Sequence, residues 1–238
     1  MSQTKELFRD NSYAKSCEAT VVAINDLGGI ILDRTVFYPS GGGQPGDSGK
    51  LKRPDGAHTG IATTVYEKDR SAIVHVPAEG EVPPTVGETV QCIVDWHRRY
   101  AHMKVHTALH LLCAVLPYPV TGGSIGEGEG RLDFDIPDAG LDKEALADEL
   151  NKLIAQDHQV SIQWITDEEL DAQPDLVRTM AVKPPRGSGK VRLIAVGDID
   201  LQPCGGTHVA STNEIGVVDV SKIEKKGAKN RRVRIAVT

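Results

Sequence analysis

No run of apolar residues in this chain is long enough to span a bilayer, and Met1-Ser-Gln-Thr-Lys-Glu-Leu-Phe8 lacks the apolar core of a signal peptide. A soluble, cytoplasmic protein with no membrane partner is the expectation. Cysteine is scarce too: Cys17, Cys92, Cys113 and Cys204 are too few and too scattered over 238 residues to make a disulfide framework, so all four are expected reduced. Cys17 and Cys92 sit in alternating apolar stretches and read as small buried hydrophobes, and Cys113, among leucines, reads as core packing. The chain also lacks a phosphate-cradling P-loop, an internal repeat and a low-complexity segment. Basic charge is not in excess, since the net charge is −6. It is segregated, however: from Lys222 to the end seven basic residues stand against Glu224 alone, so that segment carries +6 and the remainder −12. Such a split permits local attraction of a polyanion by an acidic protein.

What is present points to two unequal parts. Residues 17–25, 30–37, 60–66, 71–76 and 87–95 are short, rich in Val, Ile and Thr, and separated by Gly, Pro and Asp turns, a pattern of a small β-barrel or sandwich over 1–93. One connection is Pro39-Ser-Gly-Gly-Gly-Gln-Pro-Gly-Asp47. From Trp96 to Leu116 there is neither Gly nor Pro, and Val105, Leu109, Leu112 and Leu116 form one apolar stripe, so a helix ending at Pro117 is predicted. Beyond the turn-rich 118–130, a strand is expected at Arg131–Ile136 and a second helix at about 141–158 with Leu146, Leu150, Leu153 and Ile154 inward. Strands at 160–165, 191–196, 217–220 and 232–237, and a capping box at Thr166–Glu169, complete an α+β domain over 94–238, with antiparallel sheet and long helices.

Two short motifs carry the chemistry: His106-Thr-Ala-Leu-His110 and Cys204-Gly-Gly-Thr-His208. Residues four apart on a helix share a face, and three imidazoles with one thiolate are a zinc ligand set. His102 and His106 satisfy the helical spacing as well as His106 and His110 do, but all three cannot reach one ion, because the outer two are separated by roughly 12 Å along the axis. His106 belongs to the pair either way. Thr107 stands where a metalloprotease helix would have its glutamate, which excludes that chemistry. Asp198 and Asp200, just before the Cys-Gly-Gly loop, could orient a ligand histidine, and surface turn carboxylates fit their context equally well.

His106-Thr-Ala-Leu-His110-Leu-Leu, Cys204-Gly-Gly-Thr-His208-Val, Phe37-Tyr-Pro-Ser-Gly-Gly-Gly-Gln-Pro-Gly-Asp47 and Arg131-Leu-Asp-Phe134 occur in an order that resembles the editing domain of alanyl-tRNA synthetase and, more closely, the free-standing AlaX-type alanyl-tRNA editing proteins. The resemblance covers nearly the whole chain. It implies a zinc-dependent hydrolase that removes serine, and with it glycine, from the 3′-terminal adenosine of mischarged alanine tRNA. It further implies His106, His110, Cys204 and His208 as zinc ligands, and Thr121 as the hydroxyl that reads serine. Leu109 stands where the synthetase-embedded form has a second threonine. Too little chain remains for a synthetase catalytic domain, so editing without charging is expected.

Within that resemblance Gly42, Gly43 and Gln44 become candidate substrate contacts, through backbone N–H groups offered to a phosphate or close approach to the terminal adenosine. A strand-connecting turn accounts for the same residues. Lys225, Lys226, Lys229, Arg231 and Arg232 become candidate tRNA contacts, against the simpler reading of a solvated hairpin around Gly227. No catalytic proton-transfer residue is legible. Two other readings remain open: editing of a threonine-type mischarged tRNA, because threonyl-tRNA synthetase carries a similar pair of motifs, and a non-catalytic tRNA-binding module with structural zinc.

Overall fold

The computed structural model describes residues 4–136, 140–177, 189–227 and 230–238. The chain divides into two compact units, Met1–Tyr100 and Ala101–Thr238.

The first unit is built from β1 (Lys5–Glu6), β2 (Ser16–Ile24), β3 (Ile30–Leu32), β4 (Arg34–Thr35), β5 (Gly49–Lys52), β6 (His58–Tyr66), β7 (Ile73–Pro77) and β8 (Thr89–Val94). Six of them close into an antiparallel barrel in the order β2-β3-β7-β6-β5-β8. The alternation along each strand explains the closure: Ala19 and Val21 of β2 and Val90, Cys92 and Val94 of β8 join Ile30, Leu32, Phe37 and Leu51 in one buried cluster. Closure leaves no unpaired barrel edge. The strands expected at 17–25, 60–66, 71–76 and 87–95 are present, and β5, with the sequence Gly-Lys-Leu-Lys, was not anticipated.

The glycine-rich connection in this unit has fixed geometry. Gly41 and Gln44 exchange backbone hydrogen bonds at 3.0 and 2.9 Å, and Gly42 and Gly43 take φ of 58° and 84°. This is a tight hairpin turn of the kind that requires positive φ at both central residues. At Gly46 an added Cβ would lie 1.9 Å from the Thr64 carbonyl oxygen, so only glycine fits. The connection ends in Asp47, which forms a buried ion pair with Arg99; their side chains are 2% and 0% exposed. Arg99 also donates to the carbonyls of Ser12, at 3.0 Å, and Val36, at 2.6 Å. A buried charge pair of this kind persists only because its remaining donors are satisfied.

The division between the units falls inside α1 (Trp96–Val115). The second unit continues with β9 (Val120–Ile125), β10 (Glu129–Asp135), α2 (Lys143–Ala155), β11 (Val160–Ile165), α3 (Asp167–Asp171), β12 (Val191–Val196), β13 (Asp200–Pro203), β14 (Val218–Lys226) and β15 (Asn230–Val237). Two antiparallel sheets result, β14-β15-β10-β9 and β11-β12-β13. The predicted stripe Val105, Leu109, Leu112 and Leu116 is buried throughout. At Gly130 of β10 a Cβ would come 2.6 Å from Val105 Cγ1 and 3.3 Å from Leu109 Cδ1, so the glycine lets sheet and helix approach closely.

The α2 helix starts at Asp142, whose carboxylate accepts from Ala145 N–H. Leu146, Leu150 and Ile154 are buried while Leu153 is half-buried, and Asn151 exchanges two hydrogen bonds with the Val218 backbone on the outer strand β14. The capping box of Thr166 and Glu169 opens α3 as expected. The fold is therefore α+β with an antiparallel sheet and a small barrel. Among the described residues only α1, at 20 residues, is a long helix; α2 has 13 and α3 five. The expectation of long helices is met in part, because the second helix, expected over about 141–158, covers only Lys143–Ala155. Among the described residues no helix is long and apolar enough to cross a membrane.

Candidate metal centre

In the second unit α1 presents His106 and His110 one turn apart, and the loop after β13 presents Cys204 and His208. One ligand atom from each of the four lies within 4.8 Å of all the others. Cys204 Sγ is 3.5 Å from His106 Nε2 and 3.3 Å from His208 Nε2. Tetrahedral zinc with bonds of about 2.1 Å to nitrogen and 2.3 Å to sulfur sets neighbouring ligand atoms about 3.6 Å apart, so the spacing fits. His102, the alternative helical partner, is buried but is not part of the cluster.

Neighbouring residues fix each ligand. The Asp200 carboxylate can only accept, so the Nδ1–H of His110, 2.9 Å from its Oδ2, is the donor and Nε2 is left for a metal. Gln202 donates its side-chain amide to the same oxygen at 2.8 Å. On α1 the Thr107 hydroxyl donates to Met103 O at 2.9 Å, which leaves its lone pairs for His208 Nδ1, at 3.2 Å, and Val209 N–H, at 3.3 Å. That again directs Nε2 inward. Arg192, itself buried, donates to the carbonyls of Cys204, at 2.8 Å, and Gly206, at 2.9 Å, and so folds the Cys-Gly-Gly bend around the thiol.

Electrostatics agree with this arrangement. Burial alone would push the Cys204 thiol up, but the imidazoles of His106 and His208 outweigh it and hold the pKa well below the ordinary thiol value. His208 is pushed well down by burial and by the neighbouring His106. Burial also opposes the charged form of His110, yet its hydrogen bonds to Asp200 and Cys204 prevail and raise its pKa to about 9. A thiolate and a neutral His208 are ready to ligate, whereas an incoming metal must displace a proton from His110.

Of the acids before the loop, Asp200 is the one that orients a ligand; Asp198 lies exposed in the β12–β13 turn. Gln202 and Thr107 were missed by sequence reasoning. Thr107 carries a signal in the sequence, since it follows His106 on the same helix.

The remaining candidates lie elsewhere in the two units. In the first, Gly42 and Gly43 are exposed at the hairpin tip and the Gln44 side chain is buried. In the second, the Thr121 hydroxyl of β9 faces Asp133 O at 3.1 Å and Asn230 Oδ1 at 3.2 Å. Its single proton is committed to one of these, and its lone pairs remain for an incoming donor. Lys225 and Lys226 are exposed on β14. Arg231 is buried, and Arg232 makes a two-pronged bond to Asp133 at 2.7 and 2.8 Å. Lys229 lies outside the described residues.

Two family models match the sequence. The one described as the threonyl and alanyl tRNA synthetase second additional domain covers residues 191–234, the segment that supplies Cys204 and His208. The one described as tRNA synthetases class II (A) covers residues 2–98. The chain is also 35% identical to the alanyl-tRNA editing protein AlaX-M of Methanosarcina mazei, over 97% of this chain and 95% of that protein. It belongs to the AlaX alanyl-tRNA editing protein family. The AlaX-M protein of Saccharolobus solfataricus is likewise 35% identical, over 98% of this chain and 99% of its own length. An alanine–tRNA ligase from Pyrobaculum aerophilum is 35% identical over 94% of this chain, which spans 26% of that enzyme. The AlaX pattern thus appears both as a free protein and as a part of a ligase.

Proposed function

We propose that this protein is a zinc-dependent aminoacyl-tRNA deacylase that edits mischarged alanine tRNA in trans, in the cytoplasm. The observation that carries the reading is the cluster of His106, His110, Cys204 and His208, its histidines buried and Cys204 half-buried, in a chain of the AlaX family. The substrates are seryl-tRNA and glycyl-tRNA of the alanine type. Water adds to the ester carbonyl, the bond to the 3′-terminal ribose breaks, and the products are the free amino acid and tRNA with its hydroxyl restored.

Zinc at this site would supply a positive centre that polarises or positions the aminoacyl group. The four side chains would hold it, with Asp200 and Thr107 setting the faces that His110 and His208 turn toward the middle of the cluster. Because all four positions of a tetrahedral ion would be taken by protein, either role would need a fifth coordination position for the aminoacyl group, an expansion that catalytic zinc can undergo.

Discrimination against alanyl-tRNA rests on one hydroxyl. A site that buries a partner for that group rejects the analogue lacking it by about 10⁴–10⁵, because the partner is then left unpaired. Thr121 is assigned that part: its proton is held internally, so it meets the serine hydroxyl as an acceptor. Gly42, Gly43 and the Gln44 backbone are assigned to the tRNA 3′ end, and Lys225, Lys226, Lys229, Arg231 and Arg232 to the acceptor-stem phosphates. Functionally the chain divides into a barrel domain, 1–93, and a zinc-containing editing domain, 94–238.

The test is His106→Ala, shown by circular dichroism to remain folded. It should lose both bound zinc and seryl-tRNA deacylation. Full deacylation by the metal-free variant would overturn the assignment of zinc to the reaction, and turnover no faster than spontaneous hydrolysis by the zinc-loaded wild type would leave a binding module only.

A further inference from the structure

Cys17 of β2 and Cys92 of β8 face each other directly in the antiparallel register of the barrel. Neither belongs to the metal cluster. The hydrogen bonds Val94 N–H to Lys15 O and Val21 N–H to Glu88 O, both 3.0 Å, fix the alternation along this pair of strands. Cys17 and Cys92 therefore occupy a hydrogen-bonded position, where Cα atoms are about 5.5 Å apart. That separation is within the range of about 4.4–6.8 Å that a disulfide bridges.

Their environments differ in the way a reactive pair requires. Cys17 is half-buried and reachable from solvent, whereas Cys92 is 0% exposed in the barrel core. The hydrogen bond from Cys92 holds the Cys17 thiol below its ordinary pKa, with burial opposing and the Val36 backbone N–H and Arg34 assisting. The partner thiol is pushed up by the same hydrogen bond and by burial. The thiolate is the nucleophile in such chemistry, so Cys17 attacks and Cys92 resolves.

We propose that Cys17 and Cys92 form a reversible disulfide site, oxidised by hydrogen peroxide, that links β2 to β8. The Cys17 thiolate attacks a peroxide oxygen, the O–O bond breaks, and the leaving hydroxide takes a proton to become water. The resulting Cys17 sulfenic acid is attacked by Cys92 sulfur, which loses its proton as the S–O bond breaks and a second water forms. Two thiols are oxidised and one peroxide is reduced to two waters. Directly opposed Cβ atoms across strands stand about 4.5–5.5 Å apart. A relaxed disulfide wants them at about 3.5–4.5 Å, so the strands must draw together and the bridge is readily reduced. This makes the site a switch and not a permanent staple.

The test uses the zinc-loaded protein treated with equimolar hydrogen peroxide, alkylated, and digested without reductant. Peptide mass spectrometry should find most of Cys17 and Cys92 in one linked peptide that dithiothreitol separates. In Cys92→Ser, Cys17 should accumulate as a sulfenic acid trapped by dimedone. If that variant does not fold, the wild-type peptide map decides alone. Recovery of both cysteines as alkylated monomers, or of Cys17 linked to a second molecule, would overturn the proposal.

Discussion

At Asp200 a single carboxylate decides which nitrogen of His110 faces the cluster. It accepts from Nδ1–H at 2.9 Å, and Gln202 holds the accepting oxygen in place. Partners of this kind typically contribute 10–100-fold to metal affinity, because they fix both tautomer and ring orientation, so about that loss is expected for Asp200→Asn. The amide retains the shape but removes the charge that the His110 N–H meets. A competition titration against a chromophoric chelator at pH 7 reads the affinity without reference to turnover. Affinity equal to wild type would remove Asp200 from the set of positioning residues. His106, Cys204 and His208 were legible because their spacing is chemical, four residues on a helix and four across a Gly-Gly bend; the same spacing fits His102 and His110 equally, and the family resemblance chose His110. Gln202 and Thr107 were not, because a hydrogen bond made by a hydroxyl or an amide leaves no periodic trace in a sequence.

At the level of strands and turns, the barrel contains its own pH-sensitive joint. His75 of β7 is 0% exposed; its Nδ1 lies 3.1 Å from Ile30 O, which can only accept, so Nε2, 2.7 Å from Thr35 Oγ1, accepts from that hydroxyl. Burial lowers the His75 pKa from 6.5 to about 4. A depressed histidine pKa means that the stabilising contribution is complete above pH 6.5 and is lost as pH falls toward 4, about 3 kcal/mol in all. Thermal melts of the wild type should show a fall over that window, and His75→Gln, which keeps a donor and an acceptor, should flatten it. An equal acid-side slope in the variant would assign the loss to other groups. The elements themselves differed in legibility. The helix α1 announces itself by a four-residue apolar stripe free of Gly and Pro, whereas β9, with Gly122 and Gly123 inside it, has the composition of a loop and becomes a strand only by pairing with β10. The strand β13 is similarly concealed: Asp-Leu-Gln-Pro has low strand propensity and is held by pairing with β12.

Over the whole molecule the charge is arranged to a different effect from the one its linear distribution suggests. The segment from Lys222 onward carries +6, but folding returns part of that charge to acids: Arg232 pairs with Asp133, Arg234 with Glu224, and Lys222 with Glu224. The partners' shifts agree, since Arg232 and Arg131 hold the Asp133 carboxyl below its usual range, and Arg234 with Lys222 takes Glu224 to about 2. Lys225 and Lys226, exposed on β14, are in none of these pairs. They are therefore a cleaner probe of a phosphate contact than Arg231 and Arg232, whose replacement also removes burial and an ion pair inside the sheet. Each phosphate neutralised contributes about 0.7–0.9 to the slope of log affinity against log salt. Replacing both lysines with alanine should thus flatten the slope for alanine tRNA by about 1.5, with the larger loss of affinity at low salt and an unchanged melting temperature. Fluorescence titrations over a series of KCl concentrations measure it. An unaltered slope would place the phosphate contacts on another face and leave the basic hairpin a solvated surface, while a fall in stability would show that the lysines, like Arg232, serve the sheet.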